Sequence, residues 1–140
     1  MEWRRKKALR IADQISPEQL DILLDRLDFE GLCTDRTHSS RRGHPRRSYR
    51  ALGIAVQISD EQSDITLIAA TRNLSPGGLS FVGGQMVDPG TTCLVRLLDL
   101  EGQPRQIGAT VVYCRQIDKV YEVGLQFEQS VCPGEFIPSR

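Results

Sequence analysis

Hydrophobic positions change period along the chain and divide it into a helical beginning, a linker and a β-rich remainder. Across 3–15, Ala8, Ile11, Ala12 and Ile15 recur at i, i+3, i+4 and i+7, which predicts a short helix after the basic run Arg4, Arg5, Lys6 and Lys7. Ser16-Pro17-Glu18-Gln19 reads as a second helix start. Ser16 suits the N-cap, Pro17 the first helical position and Gln19 the far side of a capping box. Leu20, Leu23, Leu24 and Leu27 give this helix an apolar face, and Asp21, Asp25, Arg26 and Asp28 a polar one. Gly31 is expected to end it. The leucine face either packs on the chain's own core or serves as a docking or dimerising surface. Trp3 beside four cations also fits contact with an anionic membrane surface.

From 33 to 45 the apolar period disappears and Thr, Ser, Arg, Gly and His dominate, which predicts a linker that stays mobile without a ligand. Beyond Arg50 the pattern becomes short alternating runs between turns. Six strands are expected, at 52–59, 64–71, 78–82, 92–98, 106–116 and 121–127, with the last two joined as a hairpin through Asp118-Lys119. Such strands close most economically as a small barrel without open edges, an open sandwich being the other arrangement. Pro133, Gly134 and Pro138 argue against a long terminal helix. The predicted organisation is a helical extension over 1–32, a flexible Arg-rich linker over 33–45, a β domain over 46–130 and a tail over 131–140.

Composition narrows the function classes. At 140 residues, with 39% hydrophobic and 26% charged residues, the chain suits one globular core. Its formal net charge of zero conceals a local excess. Arg36, Arg41, Arg42, Arg46, Arg47 and Arg50 fall in one stretch, and no Asp or Glu occurs between Asp35 and Asp60. Arginine used without lysine favours fork-like recognition of phosphate or guanine over simple solubility. Cys33, Cys93, Cys114 and Cys132 are widely spaced with no CxxC pair, so they read as reduced, mostly buried thiols of a cytoplasmic protein, and no metal site is expected. No apolar run approaches the length of a membrane span.

Catalytic patterns are weak. His38 and His44 fall in the linker, no GxSxG elbow exists, and the carboxylates at Asp60, Glu61, Asp64, Asp88, Asp99 and Glu101 fall in or beside turns where solvated charge explains them. An enzyme is not expected. Tyr49, Phe81, Tyr113, Tyr121 and Phe127 fall mostly at positions expected to face the core, which disfavours a base-stacking surface for single-stranded nucleic acid.

Two segments remain, Arg46-Arg47-Ser48-Tyr49-Arg50 before the first β strand and Asn73-Leu74-Ser75-Pro76-Gly77-Gly78 after the second. The first offers three guanidinium forks. The second offers short polar side chains on a turn whose glycines permit positive φ and close approach of a ligand. Together they resemble the RxxxR and (D/N)xSxxG motifs of PilZ domains, bacterial receptors for the second messenger cyclic di-GMP. Val123-Gly124-Leu125-Gln126-Phe127 is similar to the last strand of that family, and the resemblance covers roughly 42–128.

The resemblance implies a mainly β fold, a six-stranded antiparallel PilZ-type barrel, here with an N-terminal helical extension. It implies a noncatalytic receptor needing no cofactor, with cyclic di-GMP as ligand. By motif position, Arg46 and Arg50 take guanine edges and phosphates, and Arg47 supports a phosphate. Asn73 meets the guanine Watson–Crick edge, and Ser75 and the Gly78 backbone complete the rim. Arg41 and Arg42, outside the motif, are candidates for phosphates of a second stacked ligand. Ligand binding is expected to order the arginine arm and shift the N-terminal helices toward a protein partner or a second copy, with no DNA or RNA bound. The other reading is a ligand-free PilZ-like scaffold acting only through protein contacts.

Overall fold

A computed structural model describes residues 5–38, 47–48, 52–59 and 63–136. In chain order these form β1 (Arg5–Arg10), α1 (Pro17–His38), β2 (Arg47–Ser48), β3 (Leu52–Ser59), β4 (Ser63–Ser75), β5 (Gly78–Gly83), β6 (Thr92–Leu98), β7 (Pro104–Ile117) and β8 (Val120–Phe127). The sheet runs β4-β3-β6-β7-β8-β5, and β5 pairs back onto β4. Six antiparallel strands therefore close into a barrel.

Leu67, Leu74, Phe81, Val95, Leu97 and Val123 are buried in the barrel interior. Bulges disturb the alternation at two places. In β4 the register shifts between Thr71 and Asn73, so Arg72 is the extra residue. Core parity changes there from Leu67 and Ala69 to Leu74, which turns Asn73 and Ser75 outward. In β7 the shift lies between Val111 and Tyr113, and parity changes from Ala109 and Val111 to Cys114. Bulges of this kind re-aim side chains and tighten the bend a small barrel needs.

The thirteen residues of β4 hold four neighbours. One edge takes β3 and then β2, while the other takes β5 along its second half and β1, in parallel, along its first. The helix expected over 3–15 is thus replaced by a strand at Arg5–Arg10 and a 3-10 turn at Ile11–Asp13. A helix that short is marginal in water. The uncovered edge of β4 offers six register pairs instead, and pairing satisfies backbone groups that would otherwise stay open.

The start of α1 is as expected, since the Gln19 N–H donates to Ser16 Oγ at 3.2 Å. Its end is not. The helix continues through Gly31 to His38, so part of the segment read as linker is helical. A glycine inside a helix costs only about 1 kcal/mol relative to alanine, and no proline intervenes between Gly31 and His38.

Leu20, Leu23, Leu24 and Leu27 are buried with Ile11 against Ala70, Val82 and Val120 on the outer wall of the barrel. The leucine face therefore packs on the chain's own core and is not a docking or dimerising surface. Opposite it, Ile22 and Phe29 are each 68% exposed.

Candidate functional site

β2 and β4 run antiparallel with Arg47 opposite Leu74 and Ser48 opposite Asn73. Arg47 and Ser48 of the first motif thus meet the second as a short neighbouring strand, paired to β4 outside the six-stranded closed path. Arg41, Arg42, Arg46, Tyr49 and Arg50 lie outside the described residues. Arg47 lies in β2 by its backbone.

Beside this junction is a cleft of about 250 Å³ lined by Asn73, Ser75, Gly78, Ser80, Tyr113 and Gly124, with Val112 and Gln126 also on its wall. Three of the six expected site residues, Asn73, Ser75 and Gly78, therefore share one cavity. The other three are the arginines of the first segment. None of the described cleft residues is charged, and Arg47 of the arginine segment is adjacent in register.

The second motif is more strand than turn. Asn73 and Ser75 are in β4, Gly78 is in β5, and Pro76 and Gly77 make the connection. Neither Gly77 nor Gly78 uses the positive φ that the turn glycines permit; among the described glycines that conformation occurs at Gly90 and Gly102. Glycine is needed at 78 because a Cβ there would collide with the Leu125 carbonyl oxygen of β8. The close approach is to the neighbouring strand. The turn is held from outside as well, with the Phe127 N–H donating to the Gly77 carbonyl at 2.8 Å and the Val131 N–H to the Pro76 carbonyl at 2.9 Å.

Ser80 and Tyr113 complete the cleft. The Ser80 hydroxyl donates to Asn73 Oδ1 at 2.7 Å, while Ser75 Oγ makes a longer contact of 3.4 Å to the Gly78 carbonyl. Tyr113 sits opposite Gly124 in register, and its ring occupies the space a side chain at 124 would need. Of the aromatic residues expected inside, Phe81 and Phe127 are buried, whereas Tyr113 and Tyr121 are half-buried. The bulge at Val112 puts Tyr113 out of phase with the core and onto the cleft.

A row of charges separates this cleft from the docked helix. Arg72, 7% exposed, donates from Nη1 to Glu122 Oε2 at 2.8 Å and from Nη2 to the Leu27 carbonyl of α1 at 2.6 Å. Glu122 is 1% exposed and accepts from Arg115 Nε at 2.8 Å through its other oxygen. One carboxylate thus serves two guanidinium groups, and Arg72 ties the strand carrying Asn73 to the helix. Pattern reading passed over this network because alternation alone does not distinguish a buried Glu from an exposed one. The hairpin register did hold the clue, since a turn at Asp118-Lys119 sets Arg115 opposite Glu122.

Among the described residues no group of three His, Cys, Asp or Glu side chains could hold a metal ion. Likewise, no helix there is long and apolar enough to cross a membrane. Among the described side chains Cys93, Cys114 and Cys132 are free thiols, and of these three only Cys93 is buried; Cys114 is half-buried and Cys132 exposed. The expectation of mostly buried cysteines is corrected accordingly.

Among solved structures, the Bacillus subtilis inhibitor of motility (MotI/DgrA) is similar at 22% identity and a TM-score of 0.48, covering 68% of this chain and 46% of that one. The K. pneumonia MrkH–c-di-GMP complex is similar at 17% identity and a TM-score of 0.47, covering 63% of this chain and 44% of that one. The match thus spans less than half of either protein. Comparison with curated proteins gives no match. The sequence profile of the PilZ domain matches residues 40–132, a span that includes the arginine segment, the second motif and every strand of the closed barrel, and the chain belongs to the PilZ domain family.

Proposed function

We propose that this chain is a noncatalytic receptor for cyclic di-GMP that takes the ligand between the arginine segment and the neutral cleft. The observation that supports this reading is the pairing of Ser48 with Asn73, which sets Arg47 and Ser48 alongside the cleft wall. A cyclic dinucleotide presents two phosphates and two guanine edges. Arginine forks suit both, through bidentate bonds to phosphate oxygens or to O6 and N7. Arg46 and Arg50 take these contacts and Arg47 supports a phosphate. Asn73, Ser75 and the backbone at Gly78 meet one guanine.

The cleft volume of about 250 Å³ falls below the roughly 300–1,000 Å³ of typical ligand pockets. It accommodates one base against the half-buried ring of Tyr113, and the remainder of the ligand lies toward the arginine segment. Arg41 and Arg42 serve phosphates of a second, stacked ligand molecule when one binds.

The relay to a protein partner runs through α1. Its leucine face is already covered by the barrel, so the partner meets the outer face that carries Ile22 and Phe29. Shifting a two-state equilibrium from 1:99 to 99:1 needs about 5.5 kcal/mol, which several charge-assisted bonds of about 1.5–3 kcal/mol each supply after ordering costs. A thermal-shift titration of the full chain tests the ligand reading. Cyclic di-GMP raises the melting temperature if it is correct, and no shift up to about a millimolar contradicts it.

A further inference from the structure

We propose that Ser80 is a positioning residue that turns the Asn73 amide so that its NH2 group, and not its carbonyl oxygen, meets the ligand, making Asn73 a reader of purine acceptor atoms. This rests on the cyclic di-GMP reading above. The bulge at Arg72 is what brings the pair together, because it sets Asn73 opposite Ser80 across the β4–β5 ladder. Ser80 is 3% exposed, and its hydroxyl hydrogen goes to Asn73 Oδ1 at 2.7 Å, the usual length of a good O–H···O bond.

On its other side Ser80 faces Gly124 in register, which offers no side-chain acceptor. A flipped amide would direct NH2 at Ser80, and the hydroxyl hydrogen would need a new acceptor inside the wall. Buried donors without acceptors are strongly disfavoured. The Ser80 hydrogen bond thus favours the amide orientation with Oδ1 turned into the wall.

An amide oxygen and nitrogen diverge from one carbon, so holding the oxygen against Ser80 directs the nitrogen elsewhere. Asn73 is half-buried and lines the cleft, and the group turned outward carries two hydrogens and accepts none. Guanine offers O6 and N7 as acceptors on one edge, whereas its N1–H and exocyclic amine are donors and would meet the wrong partner. Asn73 thus reads the acceptor edge and is blind to the exocyclic amine. This differs from the Watson–Crick contact implied by the motif alone.

The test titrates the full-length wild type, Asn73→Ala and Ser80→Ala with cyclic di-GMP and with its hypoxanthine analogue, which keeps O6 and N7 but lacks the exocyclic amine. Asn73→Ala is expected to weaken both ligands equally, by about tenfold. The ratio between the two affinities stays the same within about twofold. Ser80→Ala releases the amide to turn its oxygen outward, and preference for the guanine ligand rises at least about threefold.

Three results would overturn the assignment: a preference for guanine that Asn73→Ala erases, an Asn73→Ala variant that binds both ligands as wild type does, or a Ser80→Ala variant with an unchanged ratio. Failure of the folded wild type to bind either ligand is a different outcome. It removes the cyclic di-GMP reading itself, and this assignment with it.

Discussion

Ser48 of β2 and Asn73 of β4 are cross-strand partners. Arg47 and Ser48 of the first motif segment thereby lie beside Leu74 and Asn73 of the second. On the outer face of the barrel wall, α1 covers Ala70, Val82 and Val120, and the cleft is lined by Asn73, Ser80, Tyr113 and Gly124. Arg72, Glu122 and Arg115 run between them.

Gly78→Ala is expected to destabilise the barrel by about 1–3 kcal/mol, because the new methyl group forces β5 away from the Leu125 carbonyl. Gly134→Ala, which meets open space, should stay within about 0.5 kcal/mol of wild type. Paired melting curves decide this; equal stability of the two variants would contradict the packing described.

Removing Glu122 leaves the Arg72 guanidinium buried without its carboxylate. Glu122→Ala should cost about 3–5 kcal/mol, and a double variant with Arg72→Met and Glu122→Leu should cost less than that single change. Arg115 is half-exposed at 51%, so Arg115→Ala should cost under about 1 kcal/mol. Urea unfolding of the set measures the ordering.

The helix is held by its leucines. Leu24 is 1% exposed, and Leu24→Ala should cost about 2–5 kcal/mol and speed hydrogen exchange along α1. Ile22→Ala, at a position 68% exposed, should leave both stability and exchange nearly unchanged. Exchange monitored by mass spectrometry separates the two.

Burial, and secondarily the charge of Glu128, pushes the Cys93 thiol from 9.0 to about 11. The folded state therefore keeps this proton when the unfolded chain has lost it. The resulting stabilisation is complete below about pH 9 and is lost as pH rises toward 11. At pH 8 the exposed Cys132 should be alkylated well before Cys93, as peptide mapping after brief iodoacetamide treatment would report.

Much of this arrangement is legible in the sequence where local rules suffice. The Ser16 cap, the bounds of β3 and β6, and the β7–β8 hairpin follow from side-chain type and alternation. Other features depend on distant partners. Arg5–Arg10 becomes a strand because β4 has an open edge, a fact absent from its own residues. Likewise, Tyr113 leaves the core because a bulge at Val112 changes parity, and a single inserted residue leaves no compositional mark. Gly78 was identifiable from its motif, but its reason lies in Leu125, on a strand far along the chain.

The central claim is that the arginine segment and the cleft form one cyclic di-GMP site, and calorimetric titration of the wild type, Arg50→Ala and Ser75→Ala tests it most directly. The prediction is saturable heat for wild type and a loss of at least about tenfold in affinity for each variant, with melting temperatures preserved. Wild-type heat that survives both substitutions, or no heat in a folded wild type at about a millimolar ligand, would contradict it.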